Sequence, residues 1–150
     1  MRGRSTLRRR QHAVDLAASA LEGGPAGRTV AVWGAAFKPE SDDVRDSPAL
    51  HVAQALRDAG ARVVVHDPRA MDNARRMFPA LEYAPTALAA TAGADVLLLL
   101  TEWREYVDAD PARAAESMGH LVVIDARNAL DPQSWRAAGW TYRALGRPAS

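Results

Sequence analysis

Runs of branched and leucine side chains alternate with alanine-rich segments along most of the chain. The runs are continuous in hydrophobicity: Thr29 to Trp33, Arg62 to His66, Asp95 to Leu100, Leu121 to Asp125 and Trp140 to Leu145 each predict a strand. Strands without polar alternation, separated by helices, indicate a parallel sheet buried on both faces. Helical segments are expected at Pro48 to Ala59 (closed by Gly60), Asp72 to Met77, Thr86 to Thr91, Trp103 to Tyr106, Pro111 to Met118 and Pro132 to Ala138. Ahead of the first strand, Leu7, Val14, Leu16, Ala17, Ala20 and Leu21 recur at roughly helical spacing from about Ser5. Glu22-Gly23-Gly24-Pro25 then breaks that helix. The architecture expected is an open α/β sandwich of five parallel strands with helices on both sides.

Composition narrows the class. The 150 residues suit one domain, and 48% hydrophobic with 25% charged residues leaves material for a core. The longest apolar run, Val96 to Leu100, is too short to span a bilayer. His12, Asp15 and Ser19 interrupt any secretory h-region after the basic start. Cysteine is absent, which excludes disulfides, thiolate metal sites and cysteine nucleophiles within the chain and fits a cytoplasmic protein.

Charge divides the chain into two pieces. Arg2, Arg4, Arg8, Arg9 and Arg10 crowd the first ten positions, while the remainder carries 14 basic against 18 acidic residues, a net of −4. A basic arm suits nucleic acid, but the acidic remainder and the lack of aromatic residues among these arginines argue against that partner. Against 18 arginines there is a single lysine, Lys38.

In an open parallel sheet, ligands bind at the carboxyl ends of the strands. After the first strand runs Gly34-Ala35-Ala36-Phe37-Lys38-Pro39-Glu40-Ser41-Asp42-Asp43-Val44-Arg45-Asp46-Ser47-Pro48. It has neither the G-x-G-x-x-G spacing nor a P-loop, so it lacks the glycine cradle for a pyrophosphate. It does carry Lys38 and Arg45, suited to phosphates, and Ser47-Pro48 to start the next helix. A solvated loop whose charges pair internally is the plainer alternative. A magnesium site on Asp42, Asp43 and Asp46 is disfavoured by the neighbouring cations. His66-Asp67-Pro68 reads as a turn starter, and Thr101-Glu102-Trp103 as a helix cap with an indole packed over it. Asp125-Ala126-Arg127-Asn128 brings another arginine to the same edge, so Lys38, Arg45 and Arg127 together suit a polyanion such as a nucleotide diphosphate. The four histidines fall in no catalytic-triad or metal-ligand spacing. Chemistry alone therefore gives a nucleotide- or phosphate-binding domain without a self-contained catalytic centre.

The segments GAAFKPESDDVRDSPAL, VVVHDPRA, GADVLLLLTEW, VVIDARNALD and GWTYRALGRP occur in this order. Together, from about Arg28 to Pro148, they resemble the carboxyl-terminal, UDP-binding domain of the UDP-glucose/GDP-mannose dehydrogenase family, most closely its bacterial UDP-glucose 6-dehydrogenase branch. The resemblance implies a three-layer α/β/α sandwich around a five-stranded, Rossmann-like parallel sheet. Residues 28–150 would then form the UDP-sugar-binding domain, and residues 1–27 a basic arm and connecting helix. The family oxidises a nucleotide sugar's primary alcohol to a carboxylate with two NAD, its catalytic cysteine and NAD-binding Rossmann domain lying in parts that would be upstream or separate. Carried over by motif, Phe37, Lys38 and Arg127 contact the nucleotide sugar, and Arg45 reaches the NAD pyrophosphate across the domain interface. No catalytic residue and no metal ligand falls within the chain. Ser41 stands where the family usually has threonine, and Ala126 where it usually has glycine. Without the other domains, the apolar stripe of the first helix is expected to be exposed, frayed or used for self-association into a homo-oligomer. The competing expectation is a free-standing nucleotide-sugar-binding or regulatory module that does no chemistry.

Overall fold

The structure is a computed structural model that describes residues 2–21 and 23–145, with side chains from Arg10 onward. Six strands form one sheet: β1 (Thr29–Trp33), β2 (Arg62–His66), β3 (Glu82–Tyr83), β4 (Val96–Leu99), β5 (Val122–Asp125) and β6 (Thr141–Ala144). The order is β3-β2-β1-β4-β5-β6 and every pairing is parallel. This is the doubly wound, Rossmann-like order, in which the chain runs outward from β1 on one side and from β4 on the other.

The helices are α1 (Arg2–Ser19), α2 (Pro48–Asp58), α3 (Met71–Met77), α4 (Ala87–Ala90), α5 (Arg104–Val107), α6 (Pro111–Ser117) and α7 (Pro132–Ala137). Right-handed crossovers from a sheet of this order put α2 and α3 over one face and the later helices over the other. The central strands are buried on both sides, as their unbroken apolar sequences require; Val30 to Trp33 and Val96 to Leu99 are fully buried. Trp33 anchors the second layer, stacking on Tyr106 at 5.0 Å between ring centroids and meeting Trp135 edge-on at 6.2 Å. Its indole N–H donates to the Ala87 carbonyl at 3.0 Å.

Two expectations are corrected. The sheet has six strands, not five. The sixth, β3, is a two-residue edge strand whose Glu82 is exposed, so no apolar run marks it. Arg62 Nε and NH2 hold the two Glu82 carboxylate oxygens at 2.7 and 2.9 Å, stitching that edge to β2. Nor is the stripe of the first helix exposed. Ala13 and Ala17, one turn apart in α1, and Leu21 just past its end are buried in the common core, Val14, Leu16 and Ala20 are half-buried against it, and α1 lies against α2; the Leu7 side chain lies outside the described residues. Ala13 and Ala17 let the helix backbones approach closely. Of the basic arm, only the Arg10 side chain lies within the described residues; Gly146 to Pro148, the end of the last motif, lie outside them.

Candidate functional site

Three segments meet at the carboxyl edge where the strand order reverses: residues 34–47 after β1, 100–103 after β4 and 126–130 after β5. The β1 loop is built by specific bonds rather than by length alone. Phe37 N–H donates to the Asp43 carbonyl at 2.9 Å, closing the loop, and Val44 is buried as its apolar anchor. Ser47 accepts from Leu50 N–H as the N-cap of α2, with Pro48 following, as the sequence leads one to expect. The Ser47 hydroxyl also donates to the Ala35 carbonyl at 2.6 Å. All three non-glycine residues with positive φ among the described ones lie at this edge: Glu40 at 65°, Asp46 at 53° and Asn128 at 55°. Backbone held in this sparsely populated region is concentrated at functional sites.

Asp67 organises the edge. Its fully buried carboxylate accepts Ala35 N–H at 2.8 Å, Ala36 N–H at 3.0 Å and the Trp103 indole N–H at 3.0 Å on Oδ2. On Oδ1 it accepts Arg69 and Ala70 N–H at 2.9 and 2.8 Å, the turn expected from Asp67-Pro68. In dinucleotide-binding folds the N–H groups just after β1 cradle a pyrophosphate. Here the chain's own carboxylate fills that cradle. An added phosphate would meet the Asp67 carboxylate there, so these N–H groups are not open to one.

The expected caps at Thr101 and Glu102 are not formed. Trp103 is the N-cap residue of α5 and makes no side-chain capping bond. The Thr101 hydroxyl donates instead to the Ala36 carbonyl at 2.8 Å, tying the β4 end to the β1 loop. Glu102 turns to the β5 side, where Arg127 Nε donates to its Oε2 at 3.1 Å. The β5 turn is built on buried Asp125, which accepts Arg127 N–H at 3.0 Å, Leu130 N–H at 2.8 Å and the Tyr142 hydroxyl at 2.7 Å.

The four candidate contacts thus sit on two loops of one edge. Phe37 does not pack into the core and is 52% exposed. Lys38 is exposed and makes no hydrogen bond or ion pair among the described residues. Arg45, its side chain 85% exposed, is held by Asp43: Nε and NH2 donate to the two carboxylate oxygens, each at 3.1 Å. That hydrogen bonding holds the Asp43 carboxyl below the usual carboxylate range. Both Asp43 oxygens are thereby engaged, and no group of three acids, histidines or cysteines placed to hold a metal ion occurs among the described residues.

Residues 31–132, more than half of the chain, match the UDP binding domain of the UDP-glucose/GDP-mannose dehydrogenase family. The chain belongs to that family. It is 42% identical over 130 residues to a UDP-glucose 6-dehydrogenase of Rhizobium meliloti, covering 87% of this chain and 30% of that protein. Among solved structures, a UDP-glucose dehydrogenase from Pyrobaculum islandicum superposes with a TM-score of 0.73 at 34% identity, covering 91% of this chain and 29% of that one. An NDP-N-acetyl-D-galactosaminuronic acid dehydrogenase from Methanosarcina mazei gives 0.81 at 29% identity, covering 93% and 30%. The chain therefore spans about three tenths of the length of these relatives. No described helix is long and apolar enough to cross a membrane. At the family's usual glycine, Ala126 has no positive φ; in this turn it is Asn128 that adopts the left-handed conformation. The turn after β5 is thus formed without glycine at position 126.

Beneath the edge lies a buried polar pair. The Tyr106 hydroxyl donates to the His66 carbonyl at 2.9 Å, so its oxygen accepts from His66 Nδ1, 2.7 Å away. That pattern places a proton on Nδ1. Burial pushes the His66 imidazole below its ordinary range, with the Asp67 charge opposing that shift. The folded state then binds fewer protons than the unfolded state from the ordinary histidine value down to the depressed one, and stability falls as the pH falls through that window. Urea unfolding should show wild type losing more stability between pH 7.5 and 5.5 than His66→Gln. Equal losses would assign the acid sensitivity to other groups.

Proposed function

We propose that the chain is the nucleotide-sugar-binding unit of an NAD-dependent UDP-glucose 6-dehydrogenase, holding a UDP-sugar over the carboxyl edge between the β1 loop and the β5 turn. The observation that carries this reading is a set of outward-facing cations on two loops of a matched UDP-binding domain, of which Lys38 makes no hydrogen bond or ion pair among the described residues. Lys38 supplies a point charge for the diphosphate or a bond to a sugar hydroxyl. Arg127 supplies a fork for an anionic oxygen, and exposed Phe37 an apolar face for the nucleotide sugar.

NAD belongs to a partner part of the enzyme, either upstream or separate. The N–H groups after β1 are taken by Asp67 and do not fit a dinucleotide pyrophosphate. Arg45, on the exposed outer loop, fits the pyrophosphate of a cofactor presented by a facing domain. Two NAD, one for each two-electron step, would supply the hydride acceptors for oxidising the primary alcohol of UDP-glucose to the carboxylate of UDP-glucuronate, with water providing the second carboxylate oxygen. The chain contains no cysteine, so a thiol for the covalent step comes from that partner part, and this chain's residues bind and orient.

Lys38→Ala tests the reading. A charged hydrogen bond in a partly desolvated cleft contributes about 1.5–3 kcal/mol, so UDP-glucose affinity should fall roughly 10- to 100-fold. Lys38→Arg should rescue only in part, because a planar fork does not replace a compact ammonium. Stability should stay within about 0.5 kcal/mol, as for an exposed residue. Unchanged affinity in calorimetric titration would overturn the assignment of the β1 loop.

A further inference from the structure

The geometry points to Glu102 as a positioning residue: we propose that it holds Arg127 by one edge of the guanidinium and leaves the other edge to the anionic group of the nucleotide sugar. This rests on the reading of Arg127 as a ligand contact.

Arg127 is fixed at both ends. Its backbone N–H is bound by Asp125, which sets where the side chain leaves the turn. At the other end, Nε donates to Glu102 Oε2 at 3.1 Å and NH2 lies 3.1 Å from the same oxygen. A guanidinium has two donor edges, Nε/NH2 and NH1/NH2. Glu102 takes the first with a single oxygen, so the second remains for a carboxylate or phosphate. The Arg127 side chain keeps 39% of its surface open, enough to present that edge.

The anchor is itself held. Glu102 lies between Thr101, whose hydroxyl is bound to the β1 loop at Ala36, and Trp103, whose indole is bound to Asp67. Its Oε1 is shielded from solvent and has no partner, so Arg127 is the group that satisfies this carboxylate among the described residues. Glu102 thereby connects the β1 loop to the β5 turn through the end of β4. It sets the distance of Arg127 from Lys38 before any ligand arrives. An arginine held this way has already lost the rotamer freedom it would otherwise lose on binding.

The test is a double-mutant cycle in the full chain, titrated calorimetrically with UDP, with thermal melts confirming that each variant folds. Glu102→Gln should weaken UDP binding about three- to tenfold, the cost of re-ordering one long side chain. Glu102→Asp, which keeps the charge but withdraws it by one methylene, should also weaken binding. In the Arg127→Ala background, Glu102→Gln should cause no loss, and removing the uncompensated charge should leave affinity equal or higher. If Glu102→Gln binds UDP as well as wild type or better, the carboxylate only competes with the ligand and the proposal fails. Equal weakening in both backgrounds would show a general structural role, which also overturns it. Arg127→Ala with wild-type affinity would instead contradict the reading of Arg127 itself, a result distinguishable from either.

Discussion

Replacing Asp67 with alanine should destabilise the domain by about 4 kcal/mol or more, a large part of the ~5–15 kcal/mol typical of a single domain. Its carboxylate is fully buried and is held by five N–H donors rather than by a counter-charge. Removing it leaves Ala35, Ala36, Arg69, Ala70 and Trp103 with donors facing a void, and an unsatisfied buried donor costs about 1–3 kcal/mol. Some of those donors will recruit water, so the loss is smaller than the simple sum. Asp67→Asn is informative too: its one oxygen can serve one set of donors, but its amide then opposes the other set. Chemical denaturation of both variants measures the effect. An alanine variant within 1 kcal/mol of wild type, on the same order as an average surface change, would mean that the carboxylate is not what joins these segments.

Gly34→Ala should cost about 3–5 kcal/mol, with two independent terms contributing. Gly34 has φ of 107°, where an L side chain is strained by about 1–3 kcal/mol. A Cβ built there would lie 2.5 Å from both Cβ and backbone N of Thr101 and 2.7 Å from its Oγ1. Backbone on the facing strand end cannot swing aside, so β1 and β4 must separate at the edge, with overpacking costs of about 1–3 kcal/mol. At this chain length, each kcal/mol lowers the melting temperature by about 2–4 °C, so a fall of roughly 6–20 °C is expected. The same separation breaks the Thr101 bond to Ala36 and moves Lys38 relative to Arg127, so UDP affinity should drop as well. A melting temperature within 2 °C of wild type would show that the close approach is not required.

Local features were legible in the sequence; features made by distant pairs were not. The inner strands β1, β2, β4 and β5 announce themselves because a strand buried on both faces needs an apolar run, as in Val96 to Leu99, whereas the edge strand β6 alternates, with Tyr142 and Ala144 inside. Ser47-Pro48 announces a helix start because capping chemistry is local. The edge strand Glu82–Tyr83 is invisible because pairing with β2, not its own composition, makes it a strand. Of the stripe read from the sequence, Ala17 and Leu21 are buried, but Ala13, buried beside them, was not part of it, and the cover, α2, follows the Gly-rich break and β1. At the candidate site, Lys38, Arg45 and Arg127 stand out because they follow strands at the carboxyl edge, while Phe37 is marked only by the family resemblance. The Asp43–Arg45 pair lies within one loop and matches the internal pairing that the sequence left open. The bonds of Asp67 to Ala35 and Trp103, and of Glu102 to Arg127, join residues far apart in sequence. Nothing in the local pattern around Glu102 separates a helix cap from an arginine anchor.

On the proposed function, this chain binds a uridine nucleotide at the carboxyl edge and does not itself hold NAD. Calorimetric titration of the full chain with UDP, UDP-glucose, GDP-mannose and NAD tests it most directly. The account predicts saturable heat with UDP and UDP-glucose at one site per chain, the two competing with each other, and none with NAD alone. Saturable binding of NAD, or no heat from UDP and UDP-glucose with a folded sample, would contradict it.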